Sequence, residues 1–136
     1  MTNISLAKNY LIKADKRLKV LDLLLEEEAY SDVIREAQEC VELALKGMLR
    51  FVGIDPLKWY DVGGILVEYK EKFPLNIRRR LNKAAKISKW LRKERELSFY
   101  GDIDFIPTEE YTKKDALHAI YGVNFCVEIA KETIIE

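Results

Sequence analysis

Histidine is all but absent from the 136 residues, His118 being the single one, and cysteine is nearly as scarce, with only Cys40 and Cys126. One imidazole and two separated thiols inside apolar helical patterns supply no zinc ligand set. The glycines form neither a phosphate-cradling loop nor a nucleophile elbow. No apolar run approaches the ~18 residues that span a bilayer, and Met1 to Leu6 lacks the basic flank and apolar core of a signal peptide. Net charge is missing too. The 23 basic residues balance 23 acidic ones, so any affinity for nucleic acid must come from a local patch. These gaps point to a cytoplasmic protein with reduced thiols, no metal and no cofactor.

Helical periodicity fills the chain instead. Hydrophobic residues make up 49% and charged residues 34%, the balance of a globular protein rather than a disordered one. The length suits one domain over residues 1–136 with its own core. Ile4, Ala7, Leu11, Ala14, Leu18, Leu21 and Leu25 step by threes and fours and so share one stripe of a first helix. A break near Glu28 follows, and Ser31 with Asp32 can cap the second helix. That helix carries a wide apolar arc from Val33 through Ala37, Cys40, Leu45 and Leu49 to Val52, which makes it the most buried element expected. Gly53, Asp55 and Pro56 end it.

A short third helix is expected from Asp61 towards Phe73. Gly63 and Gly64 inside it imply either a close helix–helix approach or a frayed first turn. Pro74 suits the opening of a fourth helix, with a seam of Ile77, Leu81, Ala84, Ser88 and Leu91. Asp102 to Pro107 reads as a loop. Thr108, with Glu109 and Glu110 in the first turn, then starts the last helix, whose seam is Ala116, Ile120, Val123, Val127, Ala130 and Ile134. Four to five helices joined by brief loops predict an all-α fold, an up-and-down antiparallel helical bundle.

Continuing the fourth seam at about 100° per residue lands on Arg95. A guanidinium on an apolar arc needs a partner, because an unpaired buried charge is very costly. Glu94, Asp102 or Asp104 can supply a structural ion pair; alternatively the planar fork of donors forms an anion site for phosphate. Just beyond it, Gly101 allows a left-handed turn that would hold Tyr100 and Asp102 near the helix end. Residues 76–95 also carry Arg78, Arg79, Arg80, Lys83, Lys86, Lys89, Arg92, Lys93 and Arg95 against the single acid Glu94. This run is either a solvated face or a contact for phosphate backbones. Acidic segments such as Asp102 to Glu110 can equally pair with it in an oligomer. His118, about 200° round its helix from Ala116, is expected to be exposed.

The stretch Tyr30 to Lys46, with Gly53 and Pro56 behind it, resembles the second helix of HEPN domains. Ala37, Gln38, Glu42, Leu45 and Lys46 match the recurrent Ala-Gln-x-x-x-Glu-x-x-Leu-Lys pattern there. Ser88 to Asp102 and Pro107 to Tyr111 resemble an archaeal branch of the same family. The resemblance implies a helical bundle that dimerises, often beside a minimal nucleotidyltransferase in toxin–antitoxin pairs. Many relatives are metal-independent endoribonucleases whose motif is an arginine, a polar neighbour and a histidine four to six positions on. Arg95 matches the arginine and Glu96 the polar residue, but Tyr100 stands in the histidine's place. Tyr60 likewise occupies a position where relatives often carry histidine.

Histidine titrates near 6.5 and tyrosine near 10, so only about 0.1% of an ordinary phenol is ionised at pH 7. That makes a poor general base. The expected function is therefore a non-catalytic or weakly active module, a homodimer that binds a nucleotidyltransferase-type partner, a nucleotide or RNA. Arg95, Arg92, Glu96 and Tyr100 would contact the nucleotide or RNA, with Arg95, Tyr100 and Asp102 as the degenerate catalytic set. The alternatives are an RNA-cleaving toxin and a purely structural dimer.

Overall fold

Residues 2–56 and 61–135 are described by the computed structural model. Seven α-helices run through them, without a named strand, in chain order. These are α1 (Thr2–Glu26), α2 (Tyr30–Phe51), α3 (Val62–Glu68), α4 (Leu75–Arg78), α5 (Leu81–Phe99), α6 (Pro107–Glu110) and α7 (Lys113–Thr133). The chain is an all-α helical bundle. More helices appear than the four to five expected, because apolar spacing continues across two breaks that it cannot register.

The second helix is the centre of the bundle and packs against α1, α5 and α7. Val33, Ile34, Ala37, Cys40, Val41, Ala44, Leu45, Met48 and Leu49 are all fully enclosed or nearly so. On α1 the small residues of the seam allow a close approach: Ala7 and Ala14 are buried, and the Cys40 thiol donates to the Ala14 carbonyl at 3.2 Å. Burial pushes the thiols of Cys40 and Cys126 up to about 12, so both stay neutral packing groups. No helix among the described residues is long and apolar enough to cross a membrane.

Local chemistry moves several boundaries. The turn between α1 and α2 falls at Glu28, which takes φ +59°, and Ala29 is the N-cap without a side-chain bond. Ser31 and Asp32 therefore lie inside the first turn rather than capping it. Asp61 does cap α3, its carboxylate accepting from the Gly64 N–H at 3.2 Å. A Cβ on Gly63 would sit 2.8 Å from the Ala85 Cα, so of the two readings of the glycine pair, close approach to α5 is what Gly63 serves.

Pro74 opens only the four-residue α4. The Arg78 guanidinium donates to the Lys70 and Phe73 carbonyls, and that of Arg80 to the Asn76 carbonyl. These side chains satisfy main-chain oxygens around the break before Leu81. The last helix starts at Lys113, not Thr108. Thr112 and Asp115 form a reciprocal capping box at 3.2 and 2.9 Å, and the extended backbone of Tyr111 (φ −95°, ψ 137°) separates α6 from α7.

Candidate functional site

Arg35, Gln38 and Glu42 recur at steps of three and four on one face of α2, and Arg95 and Glu96 lie three and four residues beyond Arg92 on one face of α5. Where these faces meet, they line a cleft of about 380 Å³ that Tyr100 completes. Arg95 donates through Nη2 to the Glu39 carboxylate at 2.9 Å, and both side chains remain about 40% exposed. Arg92 donates through Nη1 to Glu42 at 3.2 Å in a more enclosed setting, and Glu42 also faces Lys46 at 3.4 Å. The Arg35 guanidinium lies 4.4 Å over the Phe99 ring, which meets Tyr100 edge-on at 4.8 Å. A chain of cation and rings thus leads from α2 to the exposed phenol.

Gln38 is the exception to this pairing. It is 3% exposed, and its Oε1 has no hydrogen-bond partner among the described residues. A buried amide oxygen left without a donor costs about 1–3 kcal/mol. Such an atom beside a cleft is a natural acceptor for a ligand's N–H or O–H.

Four of the residues singled out from sequence, Arg92, Arg95, Glu96 and Tyr100, line this one cleft. Asp102 does not. Its carboxylate accepts from the Ile103 N–H at 2.7 Å, and its backbone pairs with Phe105 in a tight turn. Gly101 takes φ +71° at the start of that turn. None of the partners expected for Arg95 is the one it meets. Glu94 instead accepts from the Tyr111 hydroxyl at 2.7 Å, tying the segment after α5 back onto the helix. Burial first, and the Glu94 bond second, raise that phenol above its ordinary value. His118 is exposed as expected and packs edge-on to Trp90, away from the cleft. Tyr60 lies outside the described residues.

Sequence reading did not single out Arg35 and Glu39 at all, and took Gln38 and Glu42 only as parts of a family pattern. Their signal was available in the polar stripe 35-38-39-42 along a helix whose opposite face is apolar. Chemically, the cleft offers guanidinium donors for an anion, an orphan acceptor and a phenol, but no imidazole.

The HEPN domain family matches this chain over residues 7–133. A protein of Methanocaldococcus jannaschii named "Putative toxin MJ1304" is 30% identical over 141 residues, covering 98% of this chain and 91% of that protein. No solved structure matches it.

Proposed function

Because the chain belongs to the HEPN domain family, we propose that residues 1–136 act as one binding module of a toxin–antitoxin-type pair. The module is a homodimer that engages a nucleotidyltransferase-type partner, and its cleft takes the phosphate of a nucleotide or RNA. The toxin name of the archaeal relative supports the first part. The observation that carries the second is the orphan Gln38 oxygen beside three guanidinium groups. A nucleotide meets both needs at once, with phosphate oxygens for Arg95 and Arg92 and a hydroxyl or amino donor for Gln38. Tyr100 donates its hydroxyl to phosphate, and Glu96 accepts from the sugar or base.

The Arg95–Glu39 pair does not stand in the way. Exposed pairs are worth about 0–1 kcal/mol, so an arriving phosphate displaces the carboxylate at small cost. For the same reason the pair is too weak to be the purpose of Arg95, which speaks against a purely structural role.

ATP, ADP and a short single-stranded RNA titrated against the protein are expected to give saturable binding that weakens with salt. Arg95→Ala should reduce it at least tenfold. Binding that ignores Arg95, or none by the wild type, removes the cleft reading. A phenol in place of the imidazole leaves no proton acceptor poised for neutral pH. Purified protein in EDTA is therefore expected to cut single-stranded RNA no faster than the Arg95→Ala control. Robust Arg95-dependent cleavage would instead make this a metal-independent endoribonuclease.

A further inference from the structure

A second concavity, of about 210 Å³, lies between α5 and α7. Its α5 residues, Lys83, Lys86 and Trp90, sit roughly half a turn round the helix from Arg92 and Arg95, so it is separate from the cleft. Gly122 lets the two helices close on each other, since a Cβ there would lie 2.8 Å from the Ile87 side chain. Ile87, Trp90, His118 and Tyr121 make an almost wholly apolar interior. Most of that wall is ring, and Trp90 meets His118 edge-on at 4.9 Å between centroids.

Charge is confined to the rim, and nothing neutralises it there. Lys83 donates to the Tyr121 hydroxyl at 2.8 Å and lies 4.8 Å from the centre of that ring and 4.4 Å from the centre of Phe125. Two rings and a phenol hold the ammonium in place without cancelling its charge, and occupy one of its three N–H donors. Lys86 is exposed beside it. Among the described residues neither lysine pairs with a carboxylate, whereas Arg80, Arg92 and Arg95 each meet a glutamate. The acids of α7 are engaged elsewhere. Asp115 closes the capping box with Thr112, and Glu132 is bound by Arg80, which also feels Glu128.

We propose that the α5–α7 groove binds a small aromatic acid, with its ring among Trp90, His118 and Tyr121 and its carboxylate on Lys83 and Lys86. Sites for drug-sized ligands run to roughly 300–1,000 Å³, so this smaller space suits a ring and a short acidic arm. Ring walls favour a flat ring over a flexible aliphatic chain, because edge-on and offset contacts add to plain burial. A nucleobase fits poorly, since its polar edges would lose their hydrogen bonds in an apolar interior. The held ammonium then supplies a charge-assisted bond at the mouth, where the acid remains partly in water. The groove is independent of whatever occupies the cleft.

The experiment is a proton NMR titration of the untagged protein with cinnamate at fixed pH. His118 is the one imidazole of the chain, so its resonances report a ring seated in the groove. They are expected to shift saturably, with a Kd of about 1 mM for so small a ligand. Lys83→Met/Lys86→Met changes only exposed positions and should weaken cinnamate roughly tenfold, the loss of two exposed ion pairs. The same variant should bind neutral cinnamamide as the wild type does, which shows that its groove is intact. Saturating ATP should leave the cinnamate affinity unchanged, so this test and that of the cleft fail separately. No saturable His118 shift, or equal binding of cinnamate and cinnamamide by the wild type, overturns the proposal. Hexanoate binding as tightly as cinnamate overturns it too, because the ring would then be irrelevant. AMP displacing cinnamate, or an acetylated Asp-Phe-Asp peptide binding more tightly, would replace it with a nucleotide or a protein partner.

Discussion

Leu45→Ala is expected to lower unfolding stability by about 2–5 kcal/mol, a large share of the 5–15 kcal/mol typical of a domain. The side chain is fully enclosed on α2, the helix that touches the other three long ones. Truncation removes apolar burial and also leaves a cavity, and walls on several sides limit how far the site can collapse. Urea unfolding followed by circular dichroism reads the change as a lower midpoint at unchanged slope. A loss below about 1 kcal/mol would show that α2 is not the centre of the core.

Gly101→Ala is expected to cost roughly 2–5 kcal/mol from two independent sources. The residue holds φ +71°, where a Cβ is disfavoured, and that Cβ would lie 2.4 Å from the Phe105 carbonyl oxygen and 2.6 Å from Pro107 Cδ. Backbone on one side and a proline ring on the other cannot swing away as a flexible side chain would. The turn must open, moving Tyr100 at the cleft and Ile103 at the tip together. Nucleotide binding should therefore weaken, alongside the lower midpoint. Retention of both at wild-type level would mean that the turn tolerates rebuilding and does not position Tyr100.

Arg95 shows how far the candidate site was legible in the sequence. Its seam position and the Tyr-Gly-Asp stretch behind it are local features; Arg92 came from the basic run, while Glu96 was named through the resemblance to the family motif, as was the place of Tyr100 in it. Asp102 looked equivalent because it is two residues from Tyr100. The left-handed glycine between them sends its carboxylate into the turn instead, onto the Ile103 N–H. The missed half of the cleft lies on α2, fifty or more residues away, where Glu39 and Glu42 meet Arg95 and Arg92. Similarly, the basic run of residues 76–95 is divided by the fold. Its arginines 78, 80, 92 and 95 become struts between elements, while Lys83 and Lys86 rim a groove.

The chain by itself determined that it is helical, that α2 lies at the centre and that Arg95 sits near a helix end, because these follow from a 3.6-residue period and local backbone chemistry. Tertiary structure alone decided which carboxylate each arginine meets, that α5 breaks away from α4, and that two separate surfaces flank α5. Those outcomes depend on the register of helices far apart in sequence. A periodic pattern states which face is apolar, but it carries no information about how far one helix slides along another.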